Sequence, residues 1–269
     1  ALDIPRGPVV EYRVAKYVSG GVLGLNVHAA FTDHRCDLQL VVHGAGVGRI
    51  GDFILGPKDR IGIREVEDGE LIPLFRDFTP AISVGGDDVL LEGGRRRAFS
   101  IANAPEAAEH VELHIRHVSG GGFTHRVFHE LAVGAVLRVE GPLGTFVPRE
   151  DSERALLLVA GGTGFAPLKA IVEHFLHLGS TRPIHFYWGV RKRRDLYMAD
   201  LPQRWQAEHA NFRFVPVLSE AGPDDAWTGR TGLVHEAILA DFPDLSGFAV
   251  YACGSMKMVE AAQPAFVAQ

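Results

Sequence analysis

The second half of the chain repeats one pattern four times, a short apolar run followed by a segment with helical spacing. The first apolar run, residues 155–160 (ALLLVA), has no polar position, which is typical of a strand buried on both faces of a parallel sheet. The segment after it has Pro167 near its start and Gly179 at its end, positions that these residues favour in helices. Four such units in succession predict a doubly wound parallel sheet.

The same pattern places the individual elements of this half along the chain. We expect strands at residues 155–160, 183–190, 212–219 and 248–254, and helices after residue 167, around 196–208, near 233–241 and from about 256.

The first half of the chain has a different rhythm, in which apolar and polar residues alternate. The segment VELHIRHV places Val111, Leu113 and Ile115 on one face of a strand. Glycine-rich turns such as the one at residues 119–121 separate the runs. This pattern predicts antiparallel β structure, either a small barrel or a sandwich.

Other segments of the first half bear on its organisation. The runs DLQLVVHG and RIGIREVE, within residues 20–86, have the composition of strands, although no sheet order follows from them. One short helix is expected at residues 124–131, with Thr124 as its N-cap. The change of rhythm predicts two domains, residues 1–150 and 151–269.

Composition and charge exclude several classes of protein. The formal net charge of −6 and the scattered basic residues argue against non-specific nucleic-acid binding. Cys36 and Cys253 are the only cysteines, too few for a disulfide framework or for the four thiolates of an iron–sulfur cluster. The first residues lack the features of a signal peptide, and no uncharged run reaches the roughly 18 residues that span a bilayer. We therefore expect a cytoplasmic protein without a membrane span.

The loop GGTGFAP, residues 161–167, directly follows the first predicted parallel strand. Ligands of open α/β sheets bind outside the carboxyl ends of the strands, and a helix that begins there offers N–H groups and the positive end of its dipole. The loop departs from the dinucleotide fingerprint G-x-G-x-x-G, and a plain strand-to-helix turn is the alternative. The flanking strand and helix favour phosphate binding.

Two further motifs stand where a ligand could bind. Cys253 ends the fourth predicted parallel strand and so faces the same crevice, although a buried cysteine is more often a small apolar residue. In RRRAFSIAN, Arg97 and Phe99 project to one face of a strand and Ser100 to the other. A guanidinium beside an aromatic ring suits a ligand with a phosphate and a flat ring system, whereas a solvated basic turn is the simpler interpretation.

The segment GGGFTHRVFHEL opens a helix after a glycine turn and contains two histidines four residues apart. The turn is either a helix cap or a second anion site, and the sequence does not separate these alternatives. His125 and His129 have the spacing of a metal-binding pair, but no third ligand stands at a useful spacing. We therefore predict solvated histidines and no metal site.

Taken in order, these motifs resemble those of the flavin reductases of the ferredoxin-NADP reductase superfamily. RAFS matches the family's R-x-[YF]-S, GGGFT its glycine-plus-Ser/Thr helix opening, GPLGTF the last loop of its barrel, and GGTGFAP its pyrophosphate loop. YWGVRKRRDL, W-x-G-R-x-G at residues 227–232 and CGSMKM extend the match, which covers residues 88–266. The resemblance implies an antiparallel flavin-binding β-barrel followed by a doubly wound NAD(P)-binding domain.

The resemblance also implies roles for individual residues. Arg97 pairs with a flavin phosphate, Phe99 lies against the isoalloxazine, and Ser100 hydrogen-bonds flavin N5. Cys253 and Gly254 lie beside the nicotinamide ring, with Ser100 and Cys253 as the catalytic residues. The other implied contacts are Ala98, His114, Ile115, Arg116, Gly121, Gly122, Phe123 and Thr124 for the flavin, Gly162, Thr163 and Gly164 for the nicotinamide dinucleotide, and Arg191 for its adenosine ribose or ribose phosphate.

The implied activity is that of an FAD-dependent NAD(P)H oxidoreductase, with FAD favoured over FMN. The nicotinamide passes a hydride to the flavin, and the electrons go on to a separate iron–sulfur protein, or to an oxygenase or dehydratase component, since the cysteines of a [2Fe–2S] domain are absent. Two alternatives stay open. One is a flavin reductase that uses free flavin as its substrate, and the other is a non-catalytic NAD(P)-sensing subunit.

The sequence leaves the choice between NADH and NADPH nearly open. The run RKRR at residues 191–194 could receive the 2′-phosphate of NADPH, and no acidic residue ends the strand at 183–190 to pair a ribose hydroxyl instead. We expect NADH because the relatives that look nearest use it.

Overall fold

The chain divides into two compact units, Ala1–Pro148 and Arg149–Gln269. The computed structural model describes residues 9–19, 22–28, 35–36, 53–54, 87–90, 96–107, 110–131, 136–140 and 146–268. The runs DLQLVVHG and RIGIREVE and most of GPLGTF lie outside the described residues. The domain limits expected from the sequence, 1–150 and 151–269, stay a prediction.

The described part of the first unit is antiparallel β structure with one short helix. This confirms the prediction made from the alternation of apolar and polar residues. Six strands form one sheet in the order β6-β5-β8-β1-β2-β7, and every neighbouring pair is antiparallel. A second, two-stranded sheet pairs β3 with β4. The strands are β1 (Val9–Ser19), β2 (Val22–His28), β3 (Arg35–Cys36), β4 (Phe53–Ile54), β5 (Asp87–Leu90), β6 (Arg96–Phe99), β7 (His110–Arg116) and β8 (Val136–Glu140).

The six-stranded sheet closes on itself, because its two edge strands meet. Ile101, just after β6, forms an antiparallel bridge with Leu113 of β7. The Ala102 N–H donates to the Glu112 carbonyl at 2.7 Å, and the Glu112 N–H donates to the side-chain oxygen of Asn103 at 2.7 Å. Closure removes exposed strand edges, as in other small barrels. Of the two architectures that the alternation allowed, the structure has the barrel.

Strand β7 is covered on both faces. Val111, Leu113 and Ile115 are buried as the alternation predicts, but Glu112 and His114 between them are buried as well. Their side chains share a hydrogen bond, with His114 Nε2 2.8 Å from Glu112 Oε1. A polar pair that satisfies itself in this way can be buried at little cost, so an alternating strand need not face water.

The helix of the first unit begins earlier than predicted. Helix α1 (Gly122–His125) continues as a turn of π-helix over Arg126–Glu130. The prediction that Thr124 is the N-cap is wrong, because Gly121 occupies that position and no side chain caps the helix. The Thr124 hydroxyl instead accepts from the Val118 N–H at 3.1 Å and lies 3.2 Å from the Val118 carbonyl, so it ties the helix to the preceding turn.

The second unit is a parallel five-stranded sheet, as predicted. The strand order is β12-β11-β10-β9-β13, with all neighbours parallel. The elements are β9 (Ala155–Gly161), α2 (Phe165–His177), β10 (Ile184–Val190), α3 (Asp200–Glu208), β11 (Phe212–Leu218), β12 (Arg230–Thr231), α4 (Val234–Asp241), β13 (Phe248–Cys253) and α5 (Met256–Val267). Only β12 was not predicted, because two residues carry no readable period.

Helices cover both faces of this sheet, which confirms the doubly wound class. On one face, Leu157 of β9 and Tyr187 of β10 pack in a cluster with residues of α4. On the other face, the ring of Phe165 from α2 stacks on Trp188 of β10 with centroids 4.1 Å apart. Burial on both faces explains why ALLLVA has no polar position. None of the helices in the described part of the chain combines the length and the apolar character needed to cross a bilayer.

Candidate functional site

The glycine loop leaves β9 at its carboxyl end and leads directly into α2. Gly162–Gly164 form a single 3₁₀ turn, and Gly162 has a φ of +54°, a conformation that L side chains rarely adopt. No side chain caps this turn or the start of α2. The first N–H groups are therefore left to the backbone or to a ligand, and the dipole of the 13-residue helix favours an anion there.

Contact with the end of β13 requires a glycine at position 164 of this loop. A Cβ on Gly164 would overlap the carbonyl oxygen of Cys253, and a Cβ on Gly161 would lie 2.5 Å from the Met258 sulfur. A Cβ on Gly254 would lie 2.9 Å from the Gly161 Cα. Two backbone segments thus touch where the neighbouring strands β9 and β13 end. The structure brings together the two motifs that the sequence placed in one crevice.

Trp188 of β10 holds the glycine loop in place. Its indole N–H donates to the Gly162 carbonyl at 2.9 Å, and its ring is fully buried against Phe165. The sequence alone did not indicate this role, because an aromatic side chain inside a buried strand is ordinarily part of the core. The only available signal was its place in the YWGVRKRRDL motif, two residues before the strand ends.

Cys253 is a partly buried thiol beside this loop. Burial raises the pKa of the Cys253 thiol to about 11. The side chain is therefore neutral near pH 7, and it lacks the thiolate that a nucleophilic cysteine needs. Its chemistry at this position is that of a small, polarisable and uncharged group.

Two carboxylates lie at the turn after β10. The Asp195 carboxylate accepts from the Lys192 N–H at 3.0 Å, and the Asp225 carboxylate accepts from the Arg193 N–H at 2.9 Å. Backbone hydrogen bonds from Gly222 and Arg193 hold the pKa of Asp225 below its ordinary value. No acidic residue ends β10 itself, as the sequence indicated, because Asp195 lies beyond the strand and Asp225 comes from the loop after β11.

Three of the positively charged side chains at residues 191–194 already contact acidic side chains or backbone carbonyls. Arg191 Nε lies 3.5 Å from the Glu220 carboxylate, and both side chains are largely exposed. Lys192 Nζ is 3.9 Å from Asp225, and the Arg193 guanidinium donates to the carbonyls of Asp225 and Ala226. The positive charge that could receive a 2′-phosphate is therefore partly compensated.

In the first unit, the RAFS and GGGFT motifs lie side by side. The ring of Phe99 at the end of β6 is 5.5 Å from the ring of Phe123 in α1, centroid to centroid. Arg97 is exposed, and Ser100 is half-buried just before the bridge that closes the barrel. A Cβ on Gly122 would meet no atom within 4 Å, so the backbone at the start of α1 is open.

The residues of β7 that the resemblance implies as flavin contacts differ in their exposure to solvent. The His114 side chain has no exposed surface and is bonded to Glu112, and Ile115 is buried as well. A flavin can therefore meet these two residues only through their backbone unless the strand rearranges. Arg116 at the end of β7 is exposed. The contacts themselves stay predictions.

The histidine pair of the first unit has a third neighbour. The ligand atoms of His117, His125 and His129 all lie within 4.8 Å of one another, and the three side chains are exposed. The expectation that no third ligand is available was wrong. His117 belongs to the turn before α1, and only the reversal of the chain at residues 118–121 brings it to the helix.

An antiparallel barrel followed by a doubly wound sheet, each with a glycine-opened helix, is the arrangement that the motifs implied for a flavin oxidoreductase. The sequence profile of the oxidoreductase FAD-binding domain family matches residues 89–147, and that of the oxidoreductase NAD-binding domain family matches residues 158–264. The chain belongs to the ferredoxin reductase family of flavin oxidoreductases, as the motifs implied. FAD and a nicotinamide dinucleotide are the cofactors of these two domains.

Relatives of known function share about two thirds of this chain. It is 47% identical over 178 residues to the CDP-6-deoxy-L-threo-D-glycero-4-hexulose-3-dehydrase reductase of Yersinia pestis, covering 66% of this chain and 53% of the relative. It is 38% identical over 167 residues to the phenol 2-monooxygenase reductase component DmpP of Pseudomonas sp. (strain CF600), covering 62% and 47%. The matched segment thus spans about half the length of these relatives.

Solved structures align with nearly the full length of this chain. The cytochrome P450 reductase GcoB of Amycolatopsis aligns with a TM-score of 0.70 at 27% identity, over 100% of this chain and 69% of that chain. A ferredoxin NADP⁺ reductase from Neisseria gonorrhoeae, solved with bound FAD and NADP, aligns with a TM-score of 0.67 at 15% identity, over 97% and 91%. The second likeness is one of fold.

Replacement of Gly164 by alanine tests the contact between the glycine loop and β13. The new Cβ would overlap the Cys253 carbonyl, so we expect Gly164→Ala to lower the free energy of unfolding of the second unit by about 3 kcal/mol. Urea unfolding followed by tryptophan fluorescence measures it. Gly247→Ala is the matched control, because a Cβ there meets no atom within 4 Å. Equal stability of the two variants would contradict the packing argument.

Replacement of Trp188 by phenylalanine tests the hydrogen bond to the loop. Phenylalanine keeps an aromatic ring beside Phe165 but has no N–H to donate to Gly162, so the loop opens more readily. We expect amide exchange at residues 162–164 to quicken about fivefold, the loss of a hydrogen bond worth about 1 kcal/mol. Trp205→Phe, on α3, is the control and leaves this exchange unchanged. Unaltered protection in the Trp188 variant would refute the role.

Proposed function

We propose that this protein is an FAD-dependent oxidoreductase that takes a hydride from NADH and passes electrons to a separate protein. The observation that carries the proposal is the pair of glycine-opened helices, one in the barrel beside RAFS and one at the edge of the parallel sheet against Cys253. Each offers backbone N–H groups to a phosphate, which suits two dinucleotides on one chain. A cytoplasmic location, where NADH is available, is part of this proposal.

The residues of the barrel fit a flavin. Gly122 has open space above its backbone, where a side chain would obstruct a pyrophosphate, and Thr124 is fixed beside it by the preceding turn. Arg97 is exposed and can pair with a phosphate, and Phe99 presents an aromatic ring. When bound, FAD accepts a hydride and can return its two electrons one at a time, which nicotinamide cannot do. The chain supplies binding, orientation and polarity.

Ser100 and Cys253 act on the reacting centre without covalent chemistry. The Ser100 hydroxyl would donate to N5 of a bound flavin, and the neighbouring barrel closure positions its backbone. A preorganised donor stabilises charge as it develops there. Cys253 has a raised thiol pKa and so adds no negative charge beside the nicotinamide, whose ring becomes cationic only after hydride loss. Its role is to line the ring position with a small neutral group.

The glycine loop of the second unit binds the pyrophosphate of the nicotinamide dinucleotide. Gly162, Thr163 and Gly164 present the turn at the start of α2, and Trp188 holds that turn by its bond to the Gly162 carbonyl. Such positioning matters because hydride transfer requires the two rings in contact.

NADH is the coenzyme that the turn after β10 supports. Asp195 and Asp225 place two carboxylates at this corner, and Glu220 engages Arg191. Negative charge repels the 2′-phosphate of NADPH, whereas the ribose hydroxyl of NADH tolerates or uses a carboxylate acceptor. The lysine and arginines of the run are held by these acids and by backbone carbonyls.

The electron acceptor is a separate iron–sulfur protein, or an oxygenase or dehydratase component. Two of the matched relatives are named as reductases of a hexulose dehydrase and of a phenol monooxygenase, which supports a partner of that kind.

An anaerobic visible spectrum before and after addition of NADH tests the proposed function. We expect the purified protein to be yellow, to bleach with one equivalent of NADH, and to recover its colour with ferricyanide. A colourless protein that reduces added FAD would favour the flavin reductase that uses flavin as a substrate. Bound flavin that NADH never bleaches would favour the sensing subunit and overturn the proposal.

Replacement of Ser100 by alanine tests the hydrogen bond to the flavin. Loss of a preorganised donor slows flavin reduction by NADH roughly ten- to a thousandfold while the fold stays intact. Stopped-flow absorbance under anaerobic conditions measures the rate. Ser119→Ala, at an exposed serine of the same unit, is the matched control. A reduction rate equal to that of the unaltered protein would remove Ser100 from the site.

Replacement of Glu220 by glutamine tests the origin of coenzyme choice. Removal of its charge releases Arg191 to meet a 2′-phosphate, so the ratio of kcat/KM for NADPH to that for NADH rises about two- to fivefold, the size of an exposed ion pair. Turnover with ferricyanide measures both values. Glu208→Gln, at another exposed acid of the second unit, leaves the ratio unchanged. A ratio unchanged in both variants would exclude this pair from coenzyme selection.

A further inference from the structure

Three exposed histidines of the first unit form a compact cluster, and two of them directly follow Arg116 and Thr124, which are assigned to the flavin above. His117 follows β7, and His125 and His129 lie on α1 and the π-helical turn after it. The rings of His125 and His129 have centroids 4.5 Å apart, and those of His117 and His129 5.6 Å apart. One ring nitrogen from each lies within 4.8 Å of the others.

The backbone, rather than contact between the rings, sets this arrangement. Gly120 adopts a φ of +75°, and the Gly121 N–H donates to the Val118 carbonyl at 2.9 Å, which reverses the chain between β7 and α1. The Thr124 hydroxyl bonds to both backbone groups of Val118 and fixes the helix against that turn. His117 and His125, on either side of these bonds, are therefore held close before any ligand arrives.

We propose that His117, His125 and His129 bind one divalent transition-metal ion of the Zn²⁺, Cu²⁺ or Ni²⁺ class. Neutral imidazole is a preferred ligand of these ions, whereas Mg²⁺ and Ca²⁺ require oxygen. Three protein nitrogens leave a fourth position for water, since the site is exposed. The Glu130 carboxylate, 3.8 Å from His125 Nε2, adds negative charge at the edge of the cluster.

The geometry needs only side-chain rotation to close around an ion. Zinc–nitrogen bonds of about 2.0–2.1 Å in a tetrahedron place ligand nitrogens about 3.3 Å apart. The observed limit of 4.8 Å therefore has to shrink by no more than about 1.5 Å. Exposed imidazoles can make that movement by rotation about their own side-chain bonds.

Calorimetric titration of the untagged full chain with zinc chloride in a non-chelating buffer tests the site. We expect one Zn²⁺ per chain. We expect His129→Ala and His117→Ala each to weaken Zn²⁺ binding by at least about tenfold. Loss of a group that only supports a metal ligand weakens binding by about 10- to 100-fold, and loss of the ligand itself costs at least as much. His177→Ala, at an exposed histidine of the second unit, is the matched control and binds as the unaltered protein does.

A footprint on the unaltered protein makes the test independent of how the variants fold. Diethyl pyrocarbonate modifies exposed histidines, and we expect Zn²⁺ to protect His117, His125 and His129 but not His177. No stoichiometric binding, binding that survives His129→Ala unchanged, or modification of all four histidines at the same rate with Zn²⁺ present would overturn the proposal. None of these measurements requires flavin or NADH, so the outcome is separate from that of the proposed function.

Discussion

Contact between two backbone segments in the second unit governs the rest of its site. The loop at residues 161–164 and the end of β13 approach so closely that a Cβ on Gly164 or Gly254 would overlap backbone atoms of the other segment. Parallel neighbours β9 and β13 end at the same edge, and glycine alone permits their continuations to touch there. The start of α2, the Cys253 thiol and the loop that Trp188 holds all take their positions from this contact. This contact explains why the loop departs from G-x-G-x-x-G. The glycine here makes room for the end of a strand, whereas the third glycine of the fingerprint makes room for packing of the helix.

Much of the fold could be predicted because its signals are local. ALLLVA and three later apolar runs indicated buried parallel strands, and their limits agree with the structure to within one or two residues. The alternation in VELHIRHV indicated antiparallel β structure but not the burial of Glu112 and His114, since an internal hydrogen bond between alternate residues leaves no mark on hydropathy. Thr124 was predicted as an N-cap from its residue type, but its hydroxyl hydrogen-bonds the backbone of Val118 instead.

The parts of the site that sequence reasoning missed depend on contacts between distant segments. Asp225 reaches the turn after β10 from a loop about thirty residues later in the chain. His117 joins His125 and His129 through a reversal of the chain. Trp188 was interpreted as a core residue because its ring is in fact part of the core. Only its indole N–H contacts the glycine loop, through the hydrogen bond to the Gly162 carbonyl. Spacing along a chain cannot reveal such pairs, whereas strand order and turn geometry can.

Closure of the barrel has a mechanical consequence for its chemistry. The seam formed by Ile101, Ala102 and Asn103 against β7 begins one residue after Ser100. Ser100 is therefore attached directly to the point at which the ring of strands closes, not to a free loop. Any breathing of the barrel that widened the seam would move the Ser100 backbone with it, so the rigidity of the closed sheet limits how accurately this residue is positioned.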